Sequence, residues 1–404
     1  MSTDELAGAT IHAEGWQSWS SVRLLRTGEE SDRAGDEREQ TVSFRPGKPV
    51  PKRAVQAEGV LAVAADGGGA RAWFGPEPNR EVPTLRIHGT EVLSDGTVEE
   101  VTGHELADVL AAVARRLAPG PVRAIAPGWS SWSCYFKNVT EAAVIENAEM
   151  ALRLEVPLEI VQLDEGYETA IGDWLERSSS FGSLPRLAEQ LREEGLVPGI
   201  WTAPFLVDPQ STLAARHSEW LIEDADAGTH WGRRMRILDI RKPAAAQHLA
   251  EVYRTLRDWG FAYHKLDFLY AGAIPGEDAY REGMQLIRAA LGADATVLAS
   301  GAPLLPSIGL CDAMRVGPDV LAEIPDSQPD VDSLVRITTA RAWMNHRLWI
   351  NDPDHLVARP QIKDRERWAA YLVGYGGLRF ASDRFADLDE RGLEITRGLM
   401  STPG

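Results

Sequence analysis

Cysteine is nearly absent from this 404-residue sequence: Cys134 and Cys311 are the only two. That is too few for a disulfide framework, and a reducing cytoplasm is the expected setting. Basic side chains are outnumbered, 42 against 60 acidic, for a formal charge of −18. A surface of that sign repels phosphate backbones and anionic lipid, so nucleic acid and membranes are not expected partners, whereas a neutral ligand meets no such barrier. No run of 18 apolar residues offers a membrane span, and the opening MSTDELAGATIHAEGW has neither the basic nor the apolar segment of a secretory leader. There is no Gly-x-x-x-x-Gly-Lys, no Gly-x-Gly-x-x-Gly after a strand, no Gly-x-Ser-x-Gly elbow and no His-x-x-x-His pair. Nucleotide cradling and serine hydrolysis therefore lack support, and no metal or cofactor is expected.

Tryptophan is what the sequence has in surplus. Thirteen Trp exceed the 8 Tyr and the 9 Phe. Flat indole faces suit the apolar faces of sugar rings, and they equally fill a large core. Residues 1–120 read as a β-rich unit, with short runs at Thr41–Arg45, Val55–Ala64, Arg71–Gly75, Val82–His88 and Thr97–Thr102 between Gly, Pro and Asp turns. Glu29–Gln40 reads as a solvated loop. A helical run, Glu105–Leu117, stops at Pro119-Gly120-Pro121, which marks the expected boundary.

Over 121–404 the pattern changes to strands alternating with amphipathic stretches. The strands are expected at Ala124–Trp132, Leu158–Asp164, Val197–Pro204, Phe261–Phe268, Ala295–Gly301, Asp312–Gly317, Leu348–Asp352 and Gly377–Ser382. Each is expected to be followed by a helix, ending with Asp387–Met400 as the eighth. That rhythm is the signature of a (β/α)8 TIM barrel, an α/β fold, with an open doubly wound sheet as the alternative.

Reactive groups of a barrel belong at the C-terminal ends of its strands, and polar residues gather there: Asp164, Glu165, Lys265, Asp267, Ser300, Arg315, Asp319, Asp352 and Asp354. In His264-Lys-Leu-Asp-Phe268, Lys265 and Asp267 point the same way, so the ammonium keeps the carboxylate ionised, as a nucleophile for an acetal carbon requires. A strand-end cap paired with lysine reads the same residues. In Asp312-Ala-Met-Arg-Val-Gly-Pro-Asp319, Asp319 sits at a loop tip. Facing an anionic nucleophile, its pKa would rise and let it hold a proton; a turn Asp salt-bridged to Arg315 is the plainer alternative. Two such carboxylates on separate strand ends describe a retaining glycosidase, which holds them roughly 5–6 Å apart. Asp352, Asp354 and His355 read as a hydrogen-bonded turn, and Asp224-x-Asp226-x-Gly228 as a turn, not a calcium loop.

The succession Gly128-Trp-Ser-Ser-Trp132, Gln162-Leu-Asp-Glu-Gly166, Gly172-Asp-Trp174, Gly199-Ile-Trp-Thr-Ala-Pro204, Lys265-Leu-Asp-Phe268, Gly301-Ala-Pro303, Met314-Arg-Val-Gly-Pro-Asp319 and Asn351-Asp-Pro-Asp354 resembles the α-galactosidases of glycoside hydrolase family 36. The resemblance covers the whole barrel in order. It implies Asp267 as nucleophile and Asp319 as acid/base. It further implies Lys265 and Arg315 on sugar hydroxyls, Asp164 on the galactose 4- and 6-hydroxyls, and Trp201 and Trp231 as lining aromatics. Glu14-Gly-Trp-Gln-Ser-Trp19 resembles the loop that hangs a Trp over the barrel mouth, with Trp16 as that residue. The chain departs from the family at Glu165, where relatives commonly carry a second Asp. The extra methylene moves that carboxylate about 1–1.5 Å. It departs again at Ser300, where bacterial relatives often carry Cys, in a shorter β-domain, and in an expected lack of a C-terminal β-domain. The expected activity is hydrolysis of terminal α-D-galactosyl residues of oligosaccharides such as melibiose or raffinose. Another α-linked sugar, transfer to a sugar acceptor, a Schiff-base lyase using Lys265 and a non-catalytic sugar-binding protein are the alternatives, and a homo-oligomer is left open.

Overall fold

The computed structural model describes residues 8–324 and 326–402; residues 1–7, where a leader would begin, lie outside the described residues. Eight parallel strands form one curled sheet: Gly128–Ser130, Ile160–Leu163, Val197–Thr202, Tyr263–Leu266, Thr296–Ala299, Ala313–Arg315, Ile350–Asp352 and Phe380–Ala381. Their order around the sheet is eighth, first, second and so on to the seventh. Every expected strand therefore lies where the apolar runs put it, and the open-sheet alternative, which needs a reversal of strand order, falls away. The seventh and eighth strands are joined by the Leu378 amide donating to the Asn351 carbonyl (2.8 Å) and by a single parallel bridge between Leu356 and Ala381. A longer ladder is interrupted there by Pro353 and by Asp354, whose backbone is left-handed (φ 83°).

Among the described residues, one of the expected strand-following helices is replaced by a tighter turn. Between the fifth and sixth strands stands only a 3-10 turn, Leu305–Ser307. Pro303 and Pro306 remove helix donors in this segment. The N-terminal loop also occupies it: the Ser18 amide donates to the Ala302 carbonyl (3.0 Å) and the Leu304 amide to the Trp16 carbonyl (3.0 Å).

The N-terminal part forms two antiparallel sheets, one of five strands and one of three. The expected single run Val55–Ala64 is two strands, Val55–Glu58 and Val60–Ala64, that belong to different sheets. Gly59 makes the corner at φ 85°, where a Cβ would stand 2.4 Å from Leu305 Cδ2. The expected strand Thr41–Arg45 is mostly helix, Glu37–Ser43, and so is the end of the expected loop. Asp36 caps that helix by accepting from the Glu39 amide (2.8 Å), a local hydrogen bond that overrides the β-preference of Thr41 and Val42. Strands Thr10–Ala13, Leu24–Arg26 and Glu91–Ser94 carried no pattern strong enough to be expected.

The two parts meet at Arg341, which is fully buried. Its Nε donates to Glu14 (2.9 Å), and its two terminal nitrogens donate to the carbonyls of Ser18, Val316, Gln17 and Ser20. All five guanidinium N–H groups are thus used. Gly15 is required beside this contact, because a Cβ there would lie 2.4 Å from the Ser20 Cβ. Burial works to raise the pKa of Glu14, but Arg341 and then His12 outweigh it and hold the carboxyl at about 2. A carboxyl held below its ordinary 4.5 contributes stability that is complete above that value and is lost as the pH falls through about 2. Glu14→Gln is therefore expected to cost about 3 kcal/mol at pH 7 by leaving Arg341 without its counter-charge. In thermal unfolding scans the gap to the unchanged protein should narrow below pH 4.5; a gap that stays constant down to pH 3 would show that the charge pairing is not its source.

Candidate active site

A pocket of about 760 Å³ opens at the C-terminal ends of the barrel strands. Asp164, Glu165, Trp201, Trp231, Lys265, Asp267 and Asp319 all line it, so seven of the ten residues singled out in the sequence come together. Asp267 directly follows the fourth strand. Its Oδ2 accepts from Trp201 Nε1 (3.0 Å) and its Oδ1 from the Phe268 amide (2.9 Å). Phe268 adopts the left-handed region, φ 50° and ψ 33°, and the amide that reaches back to Asp267 belongs to this strained residue.

Lys265 shares the Asp267 side of the strand, but its tighter partner is Asp164, at 2.9 Å against 3.9 Å for Asp267. Burial works against its charge, yet Asp164 and Asp267 outweigh burial and raise its pKa. Lys265 is thus a fixed cation between two carboxylates. Asp164 is held further by Gln162 Nε2 (2.6 Å) and Ser130 Oγ (3.3 Å).

Asp319 accepts from Arg315 at 2.9 Å, so the plain ion pair foreseen for this loop is present. The carboxylate also faces the pocket, with its side chain 49% exposed. Surrounding protein raises its pKa first, and the carboxylates of Asp354 and Asp267 raise it further against Arg315 and Lys265. Asp267 thus accepts two hydrogen bonds from neutral donors, whereas Asp319 has its pKa raised above the ordinary value.

Three expectations are corrected. Arg315 does not reach the pocket: it is 1% exposed, and its three nitrogens donate to Asp319, Asp352 (3.0 Å) and Asp354 (2.6 Å). Ser300 is buried in the junction between strands, its amide donating to the Leu266 carbonyl (2.8 Å), and does not line the pocket. The Trp of the N-terminal loop at the mouth is Trp19, not Trp16. A tight turn in which the Ser20 amide donates to the Gln17 carbonyl (3.0 Å) separates the two indoles. Trp16 is buried, with the Arg45 guanidinium 4.7 Å from its ring centre, while Trp19 packs on Phe268 at 5.2 Å. Gly301 makes room for it, since a Cβ there would lie 2.8 Å from the indole.

Sequence reasoning also missed Lys137, Arg38, His230 and Glu323, which line the pocket. Arg38 stands on the helix Glu37–Ser43 that was read as loop and strand, and the other three follow barrel strands in short segments without a periodic pattern. Asp352 and Asp354 do form the foreseen hydrogen-bonded turn, the Asp354 amide donating to Asp352 (2.9 Å). They also hold Arg315, and Asp354 accepts from the Val320 amide (2.5 Å), one residue past Asp319. Glu165 is 5% exposed; burial, then the carboxylates of Glu168 and Asp164, raise its pKa well above the ordinary range. Glu168 is pushed up to about 7 by burial.

A TIM-like barrel with opposed carboxylates over one pocket defines a class, the barrel glycoside hydrolases. Residues 131–274 match the Melibiase family model. The α-galactosidase AgaA of Geobacillus stearothermophilus is 27% identical over 130 residues, 30% of this chain and 18% of that protein. The A type blood α-D-galactosamine galactosaminidase of Flavonifractor plautii is 24% identical over 157 residues, 35% of this chain and 14% of its own length. The chain's matches thus span less than a fifth of either curated relative. Among solved structures, the Thermus thermophilus α-galactosidase TtGalA, in complex with p-nitrophenyl α-D-galactopyranoside, superposes with a TM-score of 0.84 and 27% identity, covering 97% of this chain and 86% of that one. Crystalline AgaA shares the fold, with a TM-score of 0.68 over 97% of this chain and 60% of its own at 15% identity. Taken together, the chain is similar to the α-galactosidases of glycoside hydrolase family 36, with the Melibiase match confined to residues 131–274.

Because the Asp354 charge helps raise the pKa of Asp319, Asp354→Asn is expected to lower it. Carboxyl-carbon NMR of aspartate-labelled protein reads this directly; an unmoved or raised Asp319 titration would remove Asp354 from the account.

Proposed function

We propose that the chain is a retaining α-galactosidase that releases terminal α-D-galactosyl residues from oligosaccharides. The observation that carries this reading is the division of labour between Asp267 and Asp319 across one pocket. In the first step the Asp319 carboxyl gives its proton to the glycosidic oxygen as an Asp267 oxygen bonds to the anomeric carbon and the C–O bond to the leaving sugar breaks. In the second, Asp319 takes a proton from water, the water oxygen bonds to the anomeric carbon, and the ester to Asp267 breaks. Trp201 Nε1 and the Phe268 amide orient the nucleophile, and Lys265 balances its charge, so little reorganisation is left for the reaction itself. Two carboxylates suffice for this chemistry. The relatives solved with stachyose and raffinose support galactosyl oligosaccharides as the substrate class. The acidic surface and the two free thiols support a cytoplasmic setting.

Glu165 favours a second reading. Its longer side chain lines the pocket where a shorter Asp would leave room, and one relative is named for a galactosamine-containing blood antigen. A different α-linked sugar with the same mechanism would follow.

A panel of nitrophenyl α-glycosides tests both. Rapid release from the α-galactoside is expected, falling on the order of 10⁴-fold or more in Asp267→Asn, with the α-anomer as the first product by proton NMR. Release from another α-glycoside, equally lost in the variant, would transfer the reading to that sugar. Full activity in Asp267→Asn, or a β-anomer formed first, would overturn the mechanism.

A further inference from the structure

Three barrel loops deliver one side chain each to the outer end of the pocket: Lys137 after the first strand, Trp231 after the third and Glu323 after the sixth. Lys137 Nζ lies 3.4 Å from Glu323 and 5.9 Å from the centre of the Trp231 ring. This is an ion pair across the mouth with its ammonium resting over an indole face.

Folding stability does not account for the arrangement. Both charged side chains are more than a third exposed, at 36% and 43%, and such pairs contribute little. Yet the backbone that presents them is costly. Phe136, just before Lys137, sits at φ 47° and ψ −136°, and Trp231 at φ 52°. The main chain of Lys137 is also pressed against Gly166, where a Cβ would lie 2.6 Å from the Lys137 carbonyl oxygen. Strain of this kind, held in place by its surroundings, concentrates where geometry serves a ligand.

The position relative to Asp319 says which part of the ligand. A carboxyl that protonates the glycosidic oxygen must stand beside the leaving group. Asp319 and Glu323 share one loop, whose Pro318, Leu321 and Ala322 line the pocket between them. The leaving group therefore extends from Asp319 toward Glu323, Trp231 and Lys137. An indole face with a cation and an acceptor at its edge complements a sugar ring, apolar on one face and hydroxylated at its rim.

We propose that Lys137, Trp231 and Glu323 form the leaving-group subsite, and that Lys137 determines the preference for a sugar over an aryl leaving group. The leaving sugar takes the Trp231 face, and the displaced ammonium donates to its hydroxyls while Glu323 accepts from them. This rests on the galactosidase reading above.

The test compares kcat/KM for melibiose with that for 4-nitrophenyl α-galactoside in the unchanged protein, Lys137→Met and Lys137→Arg. The nitrophenyl group has no hydroxyls for the ammonium. The ratio of melibiose to aryl substrate is expected to fall about tenfold in Lys137→Met, the loss of one charge-assisted hydrogen bond. Most of it should return in Lys137→Arg, which keeps a charged donor at the edge of the ring. A ratio unchanged within about twofold, or one that falls equally far in both variants, would overturn the assignment while normal turnover by the unchanged protein leaves the galactosidase reading standing. No turnover of either substrate by the unchanged protein would overturn both.

Discussion

A buried guanidinium must find an acceptor for each of its N–H groups, and Arg341 finds four of its five in the loop that carries Trp19. The fifth is the Val316 carbonyl, at the end of the strand that leads through Gly317 and Pro318 to Asp319. One side chain therefore ties the N-terminal loop to the loop bearing the acid/base candidate. Breaking it would leave a charge in a region with no water to solvate it, so the N-terminal sheets and the barrel cannot slide past each other without losing both Trp19 and the Asp319 strand. The missing fifth helix has the same origin: the space where it would pack is filled by the Trp16–Ser18 segment bonded to Ala302 and Leu304.

Charge is distributed in the site by the same rule. Five carboxylates, Asp164, Asp267, Asp319, Asp352 and Asp354, share two buried cations, Lys265 and Arg315. With too few cations to go round, neutral donors complete the inner group: Gln162 and Ser130 for Asp164, Trp201 and the Phe268 amide for Asp267, the Val320 amide for Asp354. Asp319 takes one Arg315 nitrogen and no other hydrogen bond from protein among the described residues. Its pKa is raised by the surrounding protein first and then by the carboxylates of Asp354 and Asp267. Arg315 is buried and divides its three nitrogens among Asp319, Asp352 and Asp354.

How much of this was legible follows the range of the interactions. The barrel strands were, because each is a short apolar run whose core position leaves a local trace in the sequence. Asp267 beside Lys265 was, because two-residue spacing on a strand forces a shared face. The partner of Lys265 was not: Asp164 lies 101 residues away, and only the pairing of the second, third and fourth strands in one sheet brings them within 2.9 Å. Trp16 was chosen over Trp19 because a motif carries no information about the Gln17–Ser20 turn that reverses their directions. The helix Glu37–Ser43 was legible in principle, since Asp36 and Glu39 have cap spacing, but two β-branched residues outweighed them.

Aromatic packing and backbone strain meet at Phe268. Its left-handed backbone costs on the order of 1–3 kcal/mol, and its ring is in contact with Trp19 at 5.2 Å, His230 at 4.8 Å and Trp231 at 5.2 Å. His230 is kept neutral, its pKa lowered to about 4 by burial and by Arg38, so this wall adds no charge to the acidic pocket. The N-terminal loop supplies Trp19, the third barrel loop supplies His230 and Trp231, and together they hold the residue whose amide orients Asp267. Remote segments therefore reach Asp267 through ring contacts on Phe268 and the hydrogen bond from its amide. That route leaves the charge balance of Asp267 to Lys265, while the N-terminal part adds to the pocket both the Trp19 ring and the Arg38 guanidinium.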